Sequence, residues 1–389
     1  MSYRILTLNN ISPRGLERLP GELYQVGPAI TEPDAILVRS AELAAAAIPA
    51  SVRAIARAGA GVNNIPVEEM SRRGVAVFNS PGANANAVKE LVLAGLLLAA
   101  RNLGPAWLFT RALRGDDEAI DREVERGKKQ FVGFELPGRM LGVVGLGAIG
   151  VEVANSALAL GMTVLGYDPQ ITVQRAWQLS ASVVQARSLE DLFARADAIT
   201  VHVPLNKATT GLVNARRLAL MKPGGTLLNF ARAGIVDDAA VIAALDAGQL
   251  HGYVCDFPNN ALKNHPRVVT LPHLGASTGE AEDNCAIMAA DQLREFLENG
   301  NVRNSVNYPE AVLPRLPGTT RLSIANRNVP NMVGQISTAL AMHRINIADL
   351  LNKSRGEYAY TLIDADGAIG AEVLAEIGAI EGVLAARIV

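Results

Sequence analysis

The chain has 389 residues, 49% of them hydrophobic and 19% charged, and a formal net charge of −2. That length exceeds one ordinary domain of roughly 100–200 residues, and the near-neutral balance lacks the basic excess that binding nucleic acid or an anionic membrane requires. Leu91 to Ala100, the longest uncharged apolar run near the front, falls short of the ~20 residues that cross a bilayer, and Met1-Ser2-Tyr3-Arg4 leads directly into a strand pattern, so a cytoplasmic location is expected. Cys255 and Cys285 are the only cysteines; they form no disulfide framework and no metal-ligand spacing, so buried thiols and no metal are expected.

In chain order, strands are predicted at Ile5–Leu8, Ala35–Val38, Ala54–Arg57 and Val75–Phe78, separated by polar or Ala-rich stretches. Such alternation predicts a parallel sheet covered by helices. A long apolar helix over Val88–Arg101 leads to a second unit. There the strand pattern Leu141-Gly142-Val143-Val144 runs into Gly145-Leu146-Gly147-Ala148-Ile149-Gly150, followed by an amphipathic stretch, Val151–Leu158, and a strand at Met162–Tyr167 that ends on Asp168. Gly145 permits a tight turn, Gly147 lets backbone amides approach a pyrophosphate, and Gly150 lets the helix sit against the strand. Asp168 would accept hydrogen bonds from a ribose diol and repel a 2′-phosphate, which favours NAD over NADP.

Further strands are predicted at Ile199–Val203, Gly225–Phe230, Tyr253–Cys255 and Val268–Leu271, completing a doubly wound sheet. A helix follows at Glu280–Asn299, and then a segment with Pro309, Pro314 and Pro317 that reads as a linker. The tail reads strand, helix, strand, strand, helix, strand: Arg321–Ala325, Met332–His343, Ile347–Asn352, Tyr358–Ile363, Ala371–Ile377 and Val383–Ile388. This βαββαβ order predicts a small split-βαβ domain.

Three segments carry candidate chemistry. Asn229-Phe230-Ala231-Arg232 ends a strand at the carboxyl edge of the sheet, where ligands bind in such folds. A guanidinium at Arg232 holds a 2-oxo acid through a fork of donors; the alternative is a surface arginine beside a helix cap. In Pro272-His273-Leu274-Gly275-Ala276, His273 is the best acid–base candidate of the five histidines, because it ends the last strand of this sheet and an imidazole can take a hydroxyl proton and return it. In Arg57-Ala58-Gly59-Ala60-Gly61, the glycines free backbone amides for an anion-binding concavity, to which Arg57 and Arg39 add positive charge. That suits a substrate bearing both carboxylate and phosphate; plain glycine turns are the alternative.

Together these motifs resemble the D-2-hydroxyacid dehydrogenase family over residues 1 to 305, and the tail resembles an ACT domain, a small amino-acid-sensing module. The resemblance implies a flavodoxin-like substrate domain at 1–95 and 275–305, an NAD-binding domain inserted at 96–274, a linker at 306–318 and an ACT-like regulatory domain at 319–389. It implies that Ala148 and Ile149 offer amides to the pyrophosphate, that Val203 lines the cofactor path and that Asp256 meets the carboxamide. Phe230, Ala231, Gly275 and Ala276 fall beside the cofactor, and Arg39, Arg57, Ala60 and Asn84 beside a small-molecule substrate. The implied reaction is NAD-dependent oxidation of 3-phospho-D-glycerate; a glyoxylate or hydroxypyruvate reductase and a non-catalytic NAD sensor are the alternatives. The family pairs its histidine with a glutamate, yet no glutamate lies between Arg232 and His273. Asp256 or Asn259 is expected to take part of that role. L-Serine sensing through Asn328 and Asn346 is implied for the tail, where Asn331 stands at a position usually glycine. A homo-oligomer, dimer or tetramer, is the default for such enzymes.

Overall fold

The computed structural model describes residues 2–389, which divide into two compact units, one built from residues 2–84 with 279–389 and the other from Ala85–Thr278. In the first unit the strands are β1 (Tyr3–Leu8), β2 (Tyr24–Gly27), β3 (Ala35–Val38), β4 (Ala54–Arg57) and β5 (Ala76–Phe78), all parallel, in the order β2-β1-β3-β4-β5. That is the flavodoxin-like order. The central strand β3 is buried at every position, as expected for a sheet covered on both faces.

Helix Gly279–Asn299 covers one face with a stripe of small residues, Ala281, Cys285, Ala286, Ala289 and Ala290, before Leu293, Phe296 and Leu297. Small side chains permit close approach. A Cβ added to Gly15 would lie 2.5 Å from that of Ala286.

The second unit holds β6 (Met140–Val144), β7 (Thr163–Tyr167), β8 (Val184–Gln185), β9 (Ala198–Val201), β10 (Gly225–Asn229), β11 (Leu250–Cys255) and β12 (Val268–Thr270), parallel, in the order β12-β11-β10-β9-β6-β7-β8. Strand order reverses between β6 and β9, the switch point at which a doubly wound sheet opens a ligand crevice. The apolar helix that leads into this unit runs over Ala85–Ala100 and breaks at Asn102, whose φ is +50°, before helices Leu103–Ala112 and Asp117–Gly127. No single helix among the described residues is long and apolar enough to cross a membrane.

The tail forms an antiparallel sheet of β13 (Thr319–Arg327), β14 (Ile347–Arg355), β15 (Tyr358–Asp366) and β16 (Val383–Ile388), ordered β14-β15-β13-β16, with helices Met332–Met342 and Ala371–Ala379 against one face. Its other face does not stand apart on a linker. Ala325, Tyr360 and Leu362 share a core with Phe78, Phe296 and Tyr308, with ring centroids 5.6 Å apart for Phe78–Phe296 and 6.1 Å for Tyr308–Tyr360.

The proline segment is therefore packed: Tyr308 and Ala311 are 1% exposed, and Asn307 donates to the carbonyl of Val75 while accepting from the amide of Val77. Beneath the tail sheet, Arg321 and Asp364 are both fully buried and joined by two bonds of 2.6 Å, Nε to Oδ1 and Nη2 to Oδ2. The remaining Arg321 donors reach the carbonyls of Leu313, Pro314 and Asn299. One buried guanidinium thus ties the sheet to the proline segment and to the end of the long helix.

Candidate active site

The glycine-rich turn leaves β6 at the switch point. Gly145 has φ +90°, and a Cβ there would lie 2.6 Å from the carbonyl oxygen of His202, so only glycine fits both the angle and the space. A Cβ at Gly150 would overlap the Gly145 carbonyl oxygen, whereas one at Gly147 would meet no protein atom within 4 Å. The open side at Gly147 faces the start of helix Ala148–Ala159, whose first amides have no side-chain cap. Uncapped amides at a helix N-terminus, reached over glycine, are what an anionic diphosphate requires. Gly150→Ala should cost about 1–3 kcal/mol through over-packing and abolish tight dinucleotide binding; thermal unfolding with an NADH fluorescence titration checks both.

Asp168 follows β7 directly. Its carboxylate accepts from the amides of Leu146 at 2.9 Å and Gln170 at 2.8 Å, which fixes it beside the glycine turn. Val203, after β9, sits against the same turn, with a methyl group 2.9 Å from where a Gly145 Cβ would be.

At the carboxyl ends of β10 and β11 a second cluster is assembled. Asn229, fully buried, accepts from the amide of Ala231 through Oδ1 and donates through Nδ2 to the carbonyl of Arg232 at 3.0 Å. This side-chain turn presents Arg232, which is exposed and has no acidic partner among the described residues. The Asp256 amide donates to the Asn229 carbonyl at 3.2 Å, and the His273 amide to the Asp256 carbonyl at 3.2 Å. The Asp256 carboxylate, 1% exposed, accepts from the amides of Leu274 at 2.8 Å and Gly275 at 2.7 Å. Arg232 and His273 therefore rise from one hydrogen-bonded frame at the same sheet edge. Asn229, the hub of that frame, escaped the sequence reading, its only signal being an asparagine closing an apolar strand. The side chain of Phe230 lies in the core against Gly95, so only its backbone is offered to a ligand.

His273 has φ +57°, an unusual conformation for a non-glycine residue, and its ring meets Phe257 edge-on at 5.4 Å. The expectation that Asp256 or Asn259 orients this imidazole is corrected. Both Asp256 oxygens are occupied by loop amides, and Asn259 donates to Asp238 at 2.7 Å while accepting from Ala261 and Leu262. No carboxylate bonds to the His273 ring among the described residues.

The other histidines are committed to structure. His251 meets the Ala99 carbonyl, His265 meets Asp246, and His343 meets Glu376. Burial pushes His202 down to about 3, and its Nε2 lies 2.9 Å from the Thr200 hydroxyl. A histidine whose folded value is depressed is neutral in the fold but takes a proton when unfolded below its ordinary 6.5. Stability should therefore fall as pH drops below 6.5 toward the folded value, by up to about 1.4 kcal/mol per pH unit, and His202→Gln should flatten that slope in urea unfolding followed over pH.

In the first unit, Arg57 is built into the turn that it precedes: Nε donates to the Arg39 carbonyl at 2.9 Å and Nη1 to the Gly61 carbonyl at 2.5 Å. It shapes the Gly59-Ala60-Gly61 concavity. Arg39 pairs with Glu282 at 2.5 Å, a residue that the sequence reading did not connect to it. Asn84 keeps a buried Oδ1 with no hydrogen-bond partner.

Residues 103–275 match the family model for the D-isomer specific 2-hydroxyacid dehydrogenase, NAD binding domain. A D-3-phosphoglycerate dehydrogenase of Synechocystis sp. is 38% identical over 289 residues, covering 72% of this chain and 50% of the relative. One of Haemophilus influenzae is 32% identical over 342 residues, covering 84% of this chain and 79% of the relative. The NAD+-bound structure of 3-phosphoglycerate dehydrogenase from Entamoeba histolytica matches with a TM-score of 0.62 at 26% identity, over 79% of this chain and 99% of that one. The chain belongs to the D-isomer specific 2-hydroxyacid dehydrogenase family. It spans 50–59% of the length of several curated phosphoglycerate dehydrogenases to which it is similar.

Proposed function

We propose that this chain oxidises 3-phospho-D-glycerate to 3-phosphooxypyruvate with NAD, the first step of L-serine biosynthesis. The observation that carries the reading is the frame of Asn229 and Asp256, which presents, on one edge of an NAD-binding sheet, an imidazole at His273 and a guanidinium at Arg232 that has no acidic partner among the described residues. The amides of Ala148 and Ile149 would hold the pyrophosphate, Asp168 the adenosine ribose, and Val203, Ala231, Gly275 and Ala276 the rest of the dinucleotide. NAD, when bound, supplies the hydride acceptor. Arg232 holds the carboxylate and the C2 oxygen through its fork of donors, while His273 takes the hydroxyl proton as the C2 hydride departs and returns it in the reverse direction. The oxidation releases one proton to the imidazole and two electrons with the hydride, so charge and atoms balance.

In the first unit, Arg39, Arg57, Gly59, Ala60, Gly61 and Asn84 are proposed contacts for the anionic groups of the substrate, with the free Oδ1 of Asn84 available to a hydroxyl. Initial rates with 3-phospho-D-glycerate and with unphosphorylated D-2-hydroxy acids test the assignment: the phosphorylated acid should win clearly in kcat/KM, and equal values would turn the reading toward an unspecialised hydroxyacid reductase.

The tail is proposed to regulate, with L-serine as effector at the turn 328–334 and with assembly into a dimer or tetramer. Asn328 donates to the Gly356 carbonyl and Asn346 to Asp366, while Asn331, at φ +62°, lays its side chain over Gly334. Serine must exchange these bonds, which predicts weak binding. Calorimetric titration with L-serine giving neither heat nor inhibition removes the effector.

A further inference from the structure

A pocket of about 260 Å³ lies where the tail sheet meets the first sheet, and its walls come from three parts of the unit: residues 50–53 and 73–74, Phe296 of the long helix, and Ser323, Ala325, Tyr360 and 384–387 of the tail. Three arginines line it, Arg53, Arg73 and Arg387, and no acidic residue does. Their protein partners position them without neutralising them. Arg73 donates to the carbonyls of Ala45, Ile48 and Pro49, and Arg387 to those of Phe296 and Leu297 at the end of the long helix. Only Arg53 faces a carboxylate, that of Asp34 at 3.5 Å, and Asp34 stands outside the pocket, also accepting from the Arg4 amide. Among the described residues neither Arg73 nor Arg387 has an acidic partner.

The Arg387 guanidinium lies over the Phe296 ring, 4.2 Å from its centroid, which fixes its plane. Burial, with the Arg53 charge nearby, pulls Arg387 below the ordinary arginine value, the direction expected of a cation short of countercharge. Ser323, 3% exposed, adds a hydroxyl to the wall. Guanidinium groups around a small concavity suit a tetrahedral oxyanion, because their planar donors match its oxygens and their charge is permanent.

We propose that this pocket binds a phosphate-class dianion, free or as a small phosphomonoester, which bridges Arg53, just before β4, and Arg73, at the end of helix Val67–Arg72, to Arg387 of the tail sheet and fastens the tail to them. The dianion supplies the countercharge that the protein omits. The ligand then tightens a docking that the shared core already makes, so the stability of the tail's attachment follows the level of a phosphorylated metabolite or of phosphate itself.

The test uses the full-length protein with inorganic phosphate and, in a parallel arm, glycerol 2-phosphate, each followed by thermal unfolding and calorimetric titration against sodium chloride at matched ionic strength. Phosphate should raise the unfolding midpoint of the parent well beyond chloride, and affinity should fall by roughly tenfold or more in Arg53→Gln and in Arg387→Met, the loss of one charge-assisted contact. Arg53→Gln changes a side chain 46% exposed, so it keeps the test sound if Arg387→Met does not fold. Whichever arm binds more tightly identifies the source of the dianion. Phosphate effects equal in parent and variants would place the ion elsewhere and overturn the proposal, as would a chloride effect of the same size or no effect in either arm.

Discussion

His273→Asn should lower kcat by about 10²–10⁴-fold while leaving the affinity for NADH within roughly twofold of the parent, because the imidazole is proposed to act on the hydroxyl proton and not on the dinucleotide. Stopped-flow turnover and a fluorescence titration separate the two effects. The absent carboxylate partner adds a second expectation. The His273 ring meets Phe257 edge-on, and both oxygens of the Asp256 carboxylate accept from the amides of Leu274 and Gly275, so neither serves the imidazole. Asn259→Ala should leave turnover unchanged, since Asn259 serves Asp238 and its own loop.

Arg321→Met should destabilise the protein by about 3–5 kcal/mol, the cost of leaving a buried carboxylate without its partner. The geometry makes this the most sensitive point of the tail: both side chains are fully buried, two bonds of 2.6 Å join them, and the other donors of Arg321 hold the carbonyls of Asn299, Leu313 and Pro314. Replacing the pair together, as Arg321→Met with Asp364→Leu, should recover much of the loss, because two apolar side chains leave no charge stranded. Urea unfolding of the single and double variants measures the difference.

The same pair predicts an acid limb. Burial raises the Asp364 carboxyl, but the Arg321 hydrogen bonds outweigh it and hold the group below the ordinary aspartate value of 3.8. A depressed carboxylate stabilises the fold fully above that value, and the contribution is lost as pH falls through the lower folded one.

Both parallel sheets were legible from the chain because their strands are buried on both faces and read as unbroken apolar runs. Ala35–Val38 and Ala54–Arg57 agree with the predicted bounds at both ends. The strands that escaped notice are edges. Tyr24–Gly27 carries a glutamine and a glycine, and both residues of Val184–Gln185 are exposed, so neither has the pattern that burial writes into a sequence. The βαββαβ order of the tail was equally clear, its predicted elements recurring in the same sequence in the fold.

What the tail docks against was not legible. The prolines at 309, 314 and 317 suggested a free linker, and the facts that contradict it are long-range: Tyr308 among Tyr358 and Tyr360, and one arginine that finds its carboxylate 43 positions later. At the site, glycine spacing and the strand ends located the residues, since a backbone constraint is local. The role of Asp256 was misjudged because its partners are main-chain amides, which no side-chain pattern reveals.

The central claim is that a hydride leaves C2 of a phosphorylated D-hydroxy acid for NAD at the edge framed by Arg232 and His273. Oxidation of 3-phospho-D-glycerate deuterated at C2, with the reduced dinucleotide recovered for mass spectrometry, tests this most directly. Reduced cofactor carrying the C2 deuterium, formed by the parent and at a rate reduced at least a hundredfold by His273→Asn, is the predicted result. Unlabelled reduced cofactor, or turnover that survives the loss of His273 undiminished, would contradict it.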